Sequence, residues 1–198
     1  MLSNDMKEFS IVIPIFNEEK NIRQLVKEIY EQDEIKNKFE LIFVNDKSMD
    51  ESEKILKNES KVKDFIYINN KNNIGQSLSI YKGVRRSSTK TIVTMDGDLQ
   101  NDPSDIKKLY NIYFSNNNIK LVSGIRFNRK DSIIKKISSK IANFVRRFYL
   151  NDNCVDTGCS LKIFDKNIFL TFEFFDGIHR FIPSLFEGYG FEVSYINV

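Results

Sequence analysis

Four short apolar runs in the first half of the chain, most of them followed by a polar turn and a segment of helical period, constrain the fold more than any other feature. Phe9-Ser10-Ile11-Val12-Ile13-Pro14 is apolar and rich in β-branched residues, and it reads as a buried strand stopped by its proline. From Glu18 to Glu31 the period changes. Ile22, Leu25, Val26, Ile29 and Tyr30 recur at helical spacing, Asn17 is placed to cap, and Glu18 and Glu19 suit the positive end of a helix. Phe39 to Val44 repeats the strand signal and ends in the turn Asn45-Asp46-Lys47-Ser48, before a short helix to about Asn58. A third strand at Phe65 to Ile68, a loop at Asn69 to Asn73, a helix from Gly75 to about Ser87 and a fourth strand at Thr91 to Met95 continue the alternation. Strands joined through helices need crossover connections, so the pattern predicts an α/β fold: a largely parallel sheet with helices on both faces.

The remainder extends that layer. Asp102 and Pro103 are expected to open a helix whose buried stripe is Ile106, Leu109, Tyr110 and Tyr113, and Ile119 to Ser123 is a fifth strand. Arg126 to Arg147 is basic, and Ile133, Ile137, Ile141, Phe144 and Phe148 give its later part an apolar face, suited either to core packing or to a membrane surface. A strand at Ser160 to Phe164, a helical piece near Ile182 and a strand at Phe191 to Ile196 complete the expected order. At 198 residues the chain has room for one sizeable domain, taken as residues 1–198. No apolar run approaches the roughly 18–20 residues of a membrane span and the start lacks a secretory signal, so a cytoplasmic location is expected. A net charge of +3 does not by itself point to nucleic acid.

Ligands of open α/β sheets bind beyond the carboxyl ends of the strands. Asp46 follows the second strand, Asp96 and Asp98 follow the fourth, and a parallel sheet would bring all three to one crevice. Asp96-Gly97-Asp98 offers a divalent cation hard oxygen ligands, at about 2.1 Å for magnesium, and such a pairing points to a phosphate-bearing ligand. The plainer reading of this tripeptide is a polar turn, against which stand the strong strand before it and the capped helix after it. Two cysteines and one histidine are too few for a structural zinc site, so any metal must be held by oxygen. Neither a Gly-x-Gly-x-x-Gly fingerprint nor a P-loop occurs. Cys159 reads as a packed residue and His179 as a structural one.

Taken together, Ile13-Pro14-Ile15-Phe16-Asn17-Glu18, Val44-Asn45-Asp46-Lys47-Ser48 with Asp50, Asn73-Ile74-Gly75-Gln76, Met95-Asp96-Gly97-Asp98-Leu99-Gln100 and Asp156-Thr157-Gly158-Cys159 resemble glycosyltransferase family 2 over nearly the whole chain. Gln100, the proline that follows at 103, Gly124-Ile125-Arg126 and Arg129-Lys130-Asp131-Ser132 resemble its polyprenyl-phosphate branch, that of dolichol-phosphate mannose synthase. The resemblance implies a GT-A (Rossmann-like) fold and an inverting, metal-dependent transferase taking a nucleotide-diphosphate sugar donor and a polyprenyl phosphate acceptor. By motif, Asp46 would hold the base edge, with Pro14, Phe16 and Glu18 lining its pocket, and Asp96, Asp98 and Gln100 would hold Mg2+ or Mn2+ on the diphosphate. Arg126 and Arg129 would meet the donor diphosphate and the acceptor phosphate, and Asp156 would lie near the acceptor. The family's Asp-Asp-Gly-Ser is replaced here by Asn45, Asp46, Lys47 and Ser48.

The same resemblance places the enzyme on the inner face of the membrane, with a C-terminal membrane segment expected beyond residue 198; homo-oligomerisation stays open. A phosphate acceptor is already ionised at pH 7 and needs positioning rather than a base. The alternatives are a family 2 enzyme acting on a saccharide hydroxyl with Asp156 as base, and a non-catalytic surface-binding module built on the basic stretch; the acidic crevice argues against nucleic acid.

Overall fold

The computed structural model describes residues 7–126 and 156–198. Strands β1 (Phe9–Ile15), β2 (Phe39–Asn45), β3 (Ile66–Asn69) and β4 (Thr91–Thr94) alternate with helices α1 (Ile22–Tyr30), α2 (Ser52–Glu59), α3 (Gln76–Arg86) and α4 (Asp105–Ser115). Then come β5 (Ile119–Ile125), β6 (Lys162–Asp165), the short α5 (Lys166–Phe169), α6 (Ile178–Gly188) and β7 (Glu192–Asn197). These strands form one sheet in the order β3-β2-β1-β4-β6-β5-β7. Pairing is parallel from β3 through β4 and between β5 and β7, while β6 runs antiparallel to both its neighbours.

The strand pattern explains the two-sided core. In β1, Phe9, Ile11, Ile13 and Ile15 point to one face and pack with Ile22, Leu25 and Ile29 of α1, Leu56 of α2 and Ile106 and Leu109 of α4. Val12 points to the other, with Ile80 and Val84 of α3 and Ile178, Ile182 and Phe186 of α6. Alternation of period 2 in the strands and a helical stripe on each covering element produce these layers. Helix α3 lies so close to β1 that a Cβ at Gly83 would come within 2.4 Å of Val12 Cγ1. Only a residue without a side chain fits that approach.

Several boundaries differ from the sequence expectation for identifiable reasons. Strand β1 does not stop at Pro14 but continues to Ile15, with Pro14 opposite Val44 of β2. Pairing of β1 with β4 ends at Val12 and Thr94, so the proline ring sits where no ladder hydrogen bond is required. Helix α1 begins at Ile22 rather than Glu18, and Asn17 is not its cap. Asn17 has φ 58° and its Oδ1 accepts from Met49 N–H at 2.8 Å, tying the end of β1 to the loop after β2. Asp102 likewise precedes α4 without capping it directly: its carboxylate accepts from Ser104 N–H at 2.8 Å in a turn that leads into the helix. The expected basic helix lies outside the described residues. No described helix is long and apolar enough to cross a membrane.

Candidate active site

Beyond the carboxyl ends of β1, β2 and β4 the structure opens a cavity of about 450 Å³. Pro14, Ile15, Phe16 and Glu18 line it from the end of β1, Asp46 from β2, Asn73, Gly75 and Gln76 from the start of α3, and Asp96, Gly97 and Asp98 from β4. Six of the residues singled out from sequence therefore meet there: Pro14, Phe16, Glu18, Asp46, Asp96 and Asp98. Phe16 is 44% exposed. An aromatic ring in that state has a free apolar face, the surface on which a planar base stacks.

Three of the loops that build the cavity carry residues in the left-handed region: Asn17 (φ 58°), Lys47 (φ 61°) and Leu99 (φ 61°). Each costs on the order of 1 kcal/mol in a non-glycine residue, and such backbone recurs at ligand sites. Lys47 thus takes the conformation for which the family motif uses glycine. Asn45, at the family's other altered position, accepts from Ser48 N–H at 3.2 Å and Ser48 Oγ at 2.6 Å, and so shapes the same turn.

Asp46 is 4% exposed and its carboxylate organises the opposite wall. Its Oδ1 accepts from Ile74 N–H at 2.9 Å and Asn70 Nδ2 at 3.0 Å, and its Oδ2 from Gly75 N–H at 2.8 Å. The side chain expected to read a base edge thus also holds the Asn73-Ile74-Gly75 loop against the cavity. Asp96 is fixed from two sides: its N–H donates to Ser160 Oγ at 3.1 Å, and its Oδ1 accepts from Gln76 Nε2 at 2.7 Å. Burial pushes the Asp96 carboxyl above the usual carboxylate range, the nearby Asp98 adds to this, and Ser160, Lys162 and Arg126 oppose it. Glu18 is also raised, first by burial and then by Asp98, Asp50 and Asp96, against a hydrogen bond from Asn21. Carboxylates that crowd a cleft and raise Asp96 and Glu18 in this way form a negative patch that a cation would relieve.

A divalent cation fits this donor set in part. Among the described residues no three His, Cys, Asp or Glu side chains are arranged as a complete metal site. Asp96 and Asp98 offer hard oxygens from a single turn, and magnesium or manganese commonly completes its shell with ligand phosphates and water. Gln100, expected as a third ligand, is exposed and does not line the cavity; its N–H donates to Asp98 Oδ1 at 3.1 Å across the left-handed Leu99.

Arg126 and Asp156 form a second constellation. Arg126 Nε donates to Asp156 Oδ2 and Nη2 to Oδ1, both at 2.9 Å, and Gly158 N–H donates to Oδ1 at 3.1 Å. This two-pronged arrangement fixes the guanidinium plane at the end of β5. Arg129 lies outside the described residues. Sequence reasoning had assigned no role to Gln76, although Asn73-Ile74-Gly75-Gln76 stood at the same sheet edge, and had missed Lys162 altogether. Lys162 is 2% exposed on β6, and its Nζ donates to the Cys159 carbonyl. Its signal was a lone lysine inside the apolar run Leu161-Lys162-Ile163-Phe164.

The mainly parallel sheet with acidic strand ends around one cavity is a GT-A fold, as its family match and its superposition on solved transferases show. Residues 10–171 match the model of Glycosyl transferase family 2, and the chain belongs to that family. It is 34% identical over 187 residues to dodecaprenyl-phosphate galacturonate synthase of Rhizobium johnstonii, an alignment covering 91% of this chain and 54% of that protein. It is 30% identical over 168 residues to undecaprenyl-phosphate 4-deoxy-4-formamido-L-arabinose transferase of Pectobacterium atrosepticum, covering 83% and 51%. The chain spans about half the length of these curated relatives. Among solved structures, glucosyl-3-phosphoglycerate synthase from Mycobacterium tuberculosis with Mn2+, UDP and phosphoglyceric acid superposes with TM-score 0.73 at 17% identity, over 96% of this chain and 68% of that one. A mannosyltransferase from Pyrobaculum calidifontis with GDP-mannose and Mn2+ gives TM-score 0.70 at 15% identity, over 97% and 55%.

Proposed function

We propose that the chain is the catalytic domain of an inverting glycosyltransferase that moves a sugar from a nucleotide-diphosphate donor to a polyprenyl phosphate. The observation that carries this reading is the convergence of Asp46, Asp96 and Asp98 on one cavity with Phe16 at its rim, in a chain whose relatives are named for prenyl-phosphate acceptors. Phe16 and Pro14 would pack the base, Asp46 would present its edge hydrogen-bond acceptors, and Glu18 would close the pocket. Asp96 and Asp98 would hold Mg2+ or Mn2+ against the diphosphate, with Gln100 joining only if its turn rearranges. The bound cation would supply charge stabilisation for the departing nucleotide diphosphate.

The acceptor phosphate brings its own ionised oxygen, so the protein's task is alignment on the far side of the anomeric carbon. Arg126, locked by Asp156, offers a preorganised cation for that phosphate or for the leaving diphosphate, with Arg129 as the second such group. Both Asp156 oxygens already accept hydrogen bonds, which supports a positioning role for this carboxylate over proton abstraction from a hydroxyl. A prenyl phosphate is a lipid, so the same reading places the reaction at a membrane surface, on its cytoplasmic side.

Product analysis tests the reading. The chain is incubated with Mn2+, labelled nucleotide sugars and either undecaprenyl phosphate in detergent or oligosaccharide acceptors. A prenyl-phosphate sugar is the expected product; label found only on saccharide hydroxyls would favour the rival acceptor class.

A further inference from the structure

Three consecutive residues at the start of α3 each fasten a different part of the site. Gly75 N–H holds Asp46 at 2.8 Å, Gln76 Nε2 holds Asp96 at 2.7 Å, and Ser77 Oγ reaches across to α6. Ser77 is 1% exposed. Its Oγ accepts from Gly177 N–H at 2.7 Å and lies 2.7 Å from Nδ1 of His179. Gly177 immediately precedes α6 and has φ 91°. Among the described residues no other acceptor stands by Ser77 Oγ, so the assignment that gives its proton a partner is donation to Nδ1, with the imidazole as the Nε2–H tautomer.

That assignment requires a neutral ring, because a protonated Nδ1 could only donate to the hydroxyl. Burial, and after it the cations of Arg180 and Lys162, hold His179 down at about 4, against an opposing pull from Asp176. The ring is therefore a constant acceptor at neutral pH. The helix starts of α3 and α6 are joined through one hydroxyl, with the imidazole behind it.

We propose that His179 is a positioning residue for the donor site: through Ser77 it sets the start of α3, and so the reach of Gln76 to Asp96 and of Gly75 to Asp46. His179 does not line the donor cavity. The proposal rests on the donor-site reading above and adds a residue that the reading does not require. His179→Leu removes the acceptor, whereas His179→Asn keeps an oxygen close to the Nδ1 position.

The test titrates uridine and guanosine diphosphates, with and without Mn2+, into the unmodified chain, His179→Leu, His179→Asn and Ser77→Ala. For whichever diphosphate binds, His179→Leu should lose about tenfold in Mn2+-dependent affinity, the scale of one buried hydrogen bond, and Ser77→Ala, which also removes the acceptor of Gly177 N–H, at least as much. His179→Asn should stay within about threefold of the unmodified chain, and the Ser77→Ala/His179→Leu double variant should be no weaker than Ser77→Ala alone, since that substitution already removes the hydroxyl through which His179 acts. Imidazole 15N shifts should show a protonated Nε2 and a bare Nδ1 at neutral pH.

Unmodified affinity in folded His179→Leu overturns the proposal while leaving the donor site standing. Should that variant fail to fold, unmodified affinity in Ser77→Ala, or a protonated Nδ1 in the unmodified chain, overturns it instead. If no nucleoside diphosphate, of these or the remaining common bases, binds the unmodified chain with Mn2+, the donor-site reading falls and this proposal with it.

Discussion

Replacing Asp156 separates a clamp from a base. Its carboxylate takes two charge-assisted hydrogen bonds of 2.9 Å from Arg126, with side-chain exposures of 23% for the arginine and 9% for the aspartate. Removing one member of a fully buried pair costs about 3–5 kcal/mol, chiefly because the other charge stays buried without it. Water reaches part of this guanidinium, so about 2–3 kcal/mol is the expected loss for Asp156→Ala. Asp156→Asn keeps one acceptor oxygen and should lose about 1–1.5 kcal/mol. With a urea m-value of about 2 kcal/mol per M, the alanine variant's unfolding midpoint should fall by about 1–1.5 M. Transfer to prenyl phosphate should weaken in parallel as the Arg126 plane loosens, with metal-dependent donor binding far less affected. If Asp156→Ala unfolds at the unmodified midpoint and loses only transfer to hydroxyl acceptors, the carboxylate is a base and the clamp argument is wrong.

Other substitutions probe separate links. Asp98→Asn preserves volume but removes a charge, so Mn2+ should no longer raise the thermal midpoint of the chain with nucleoside diphosphate, while the midpoint without ligand stays close to that of the unmodified chain; an unchanged Mn2+ effect would exclude Asp98 as a ligand. Gly97→Ala would place a Cβ 2.5 Å from Ile15 Cδ1 and 3.3 Å from the Pro14 carbonyl. The isoleucine tip must rotate within the core, at about 1–2 kcal/mol and roughly 3–6 °C in melting temperature, and a neutral effect would contradict close packing at the end of β1. His179, at about 4 in the folded chain against 6.5 ordinarily, binds its proton more readily when unfolded, so its contribution is complete above pH 6.5 and is lost as pH falls towards 4. The full difference would be worth about 3 kcal/mol, which solvent reaching the half-buried ring reduces to about 1–2 kcal/mol. The stability gap between the unmodified chain and His179→Asn, from urea midpoints at pH 7.5 and 4.5, should shrink by that amount; a constant gap would contradict the depressed titration.

Period was the part of the fold most legible in sequence. The apolar alternation of β1 and the helical stripe of α1 each specify a face, and strand–helix alternation then dictates parallel pairing. The antiparallel insertion of β6 was not legible, because Leu161-Lys162-Ile163-Phe164 reads as a strand in either direction. Pro14 misled as a stop signal because its tolerance depends on where β4 ends, a tertiary fact. At the site, Asp46, Asp96 and Asp98 were legible as acidic residues following strands, since chain order alone places them at one sheet edge. The departure of Gln100 depends on a left-handed Leu99, which side-chain identity does not signal. Asp156 stands out in sequence by its motif, but its engagement with Arg126 depends on β5 and the start of the β6 segment meeting in space. Lys162 left only a faint local signal, a lone lysine within an apolar run, whereas the Ser77–His179 link joins elements distant in sequence and no local pattern encodes it.

Calorimetric titration of nucleoside diphosphates into the unmodified chain, with and without Mn2+, tests the central claim most directly. Saturable one-to-one binding that strengthens at least tenfold with Mn2+, and loses that gain in Asp98→Asn, is the predicted result. Absence of binding to any nucleoside diphosphate, or binding indifferent both to the metal and to the loss of the Asp98 charge, would contradict a donor site at these strand ends.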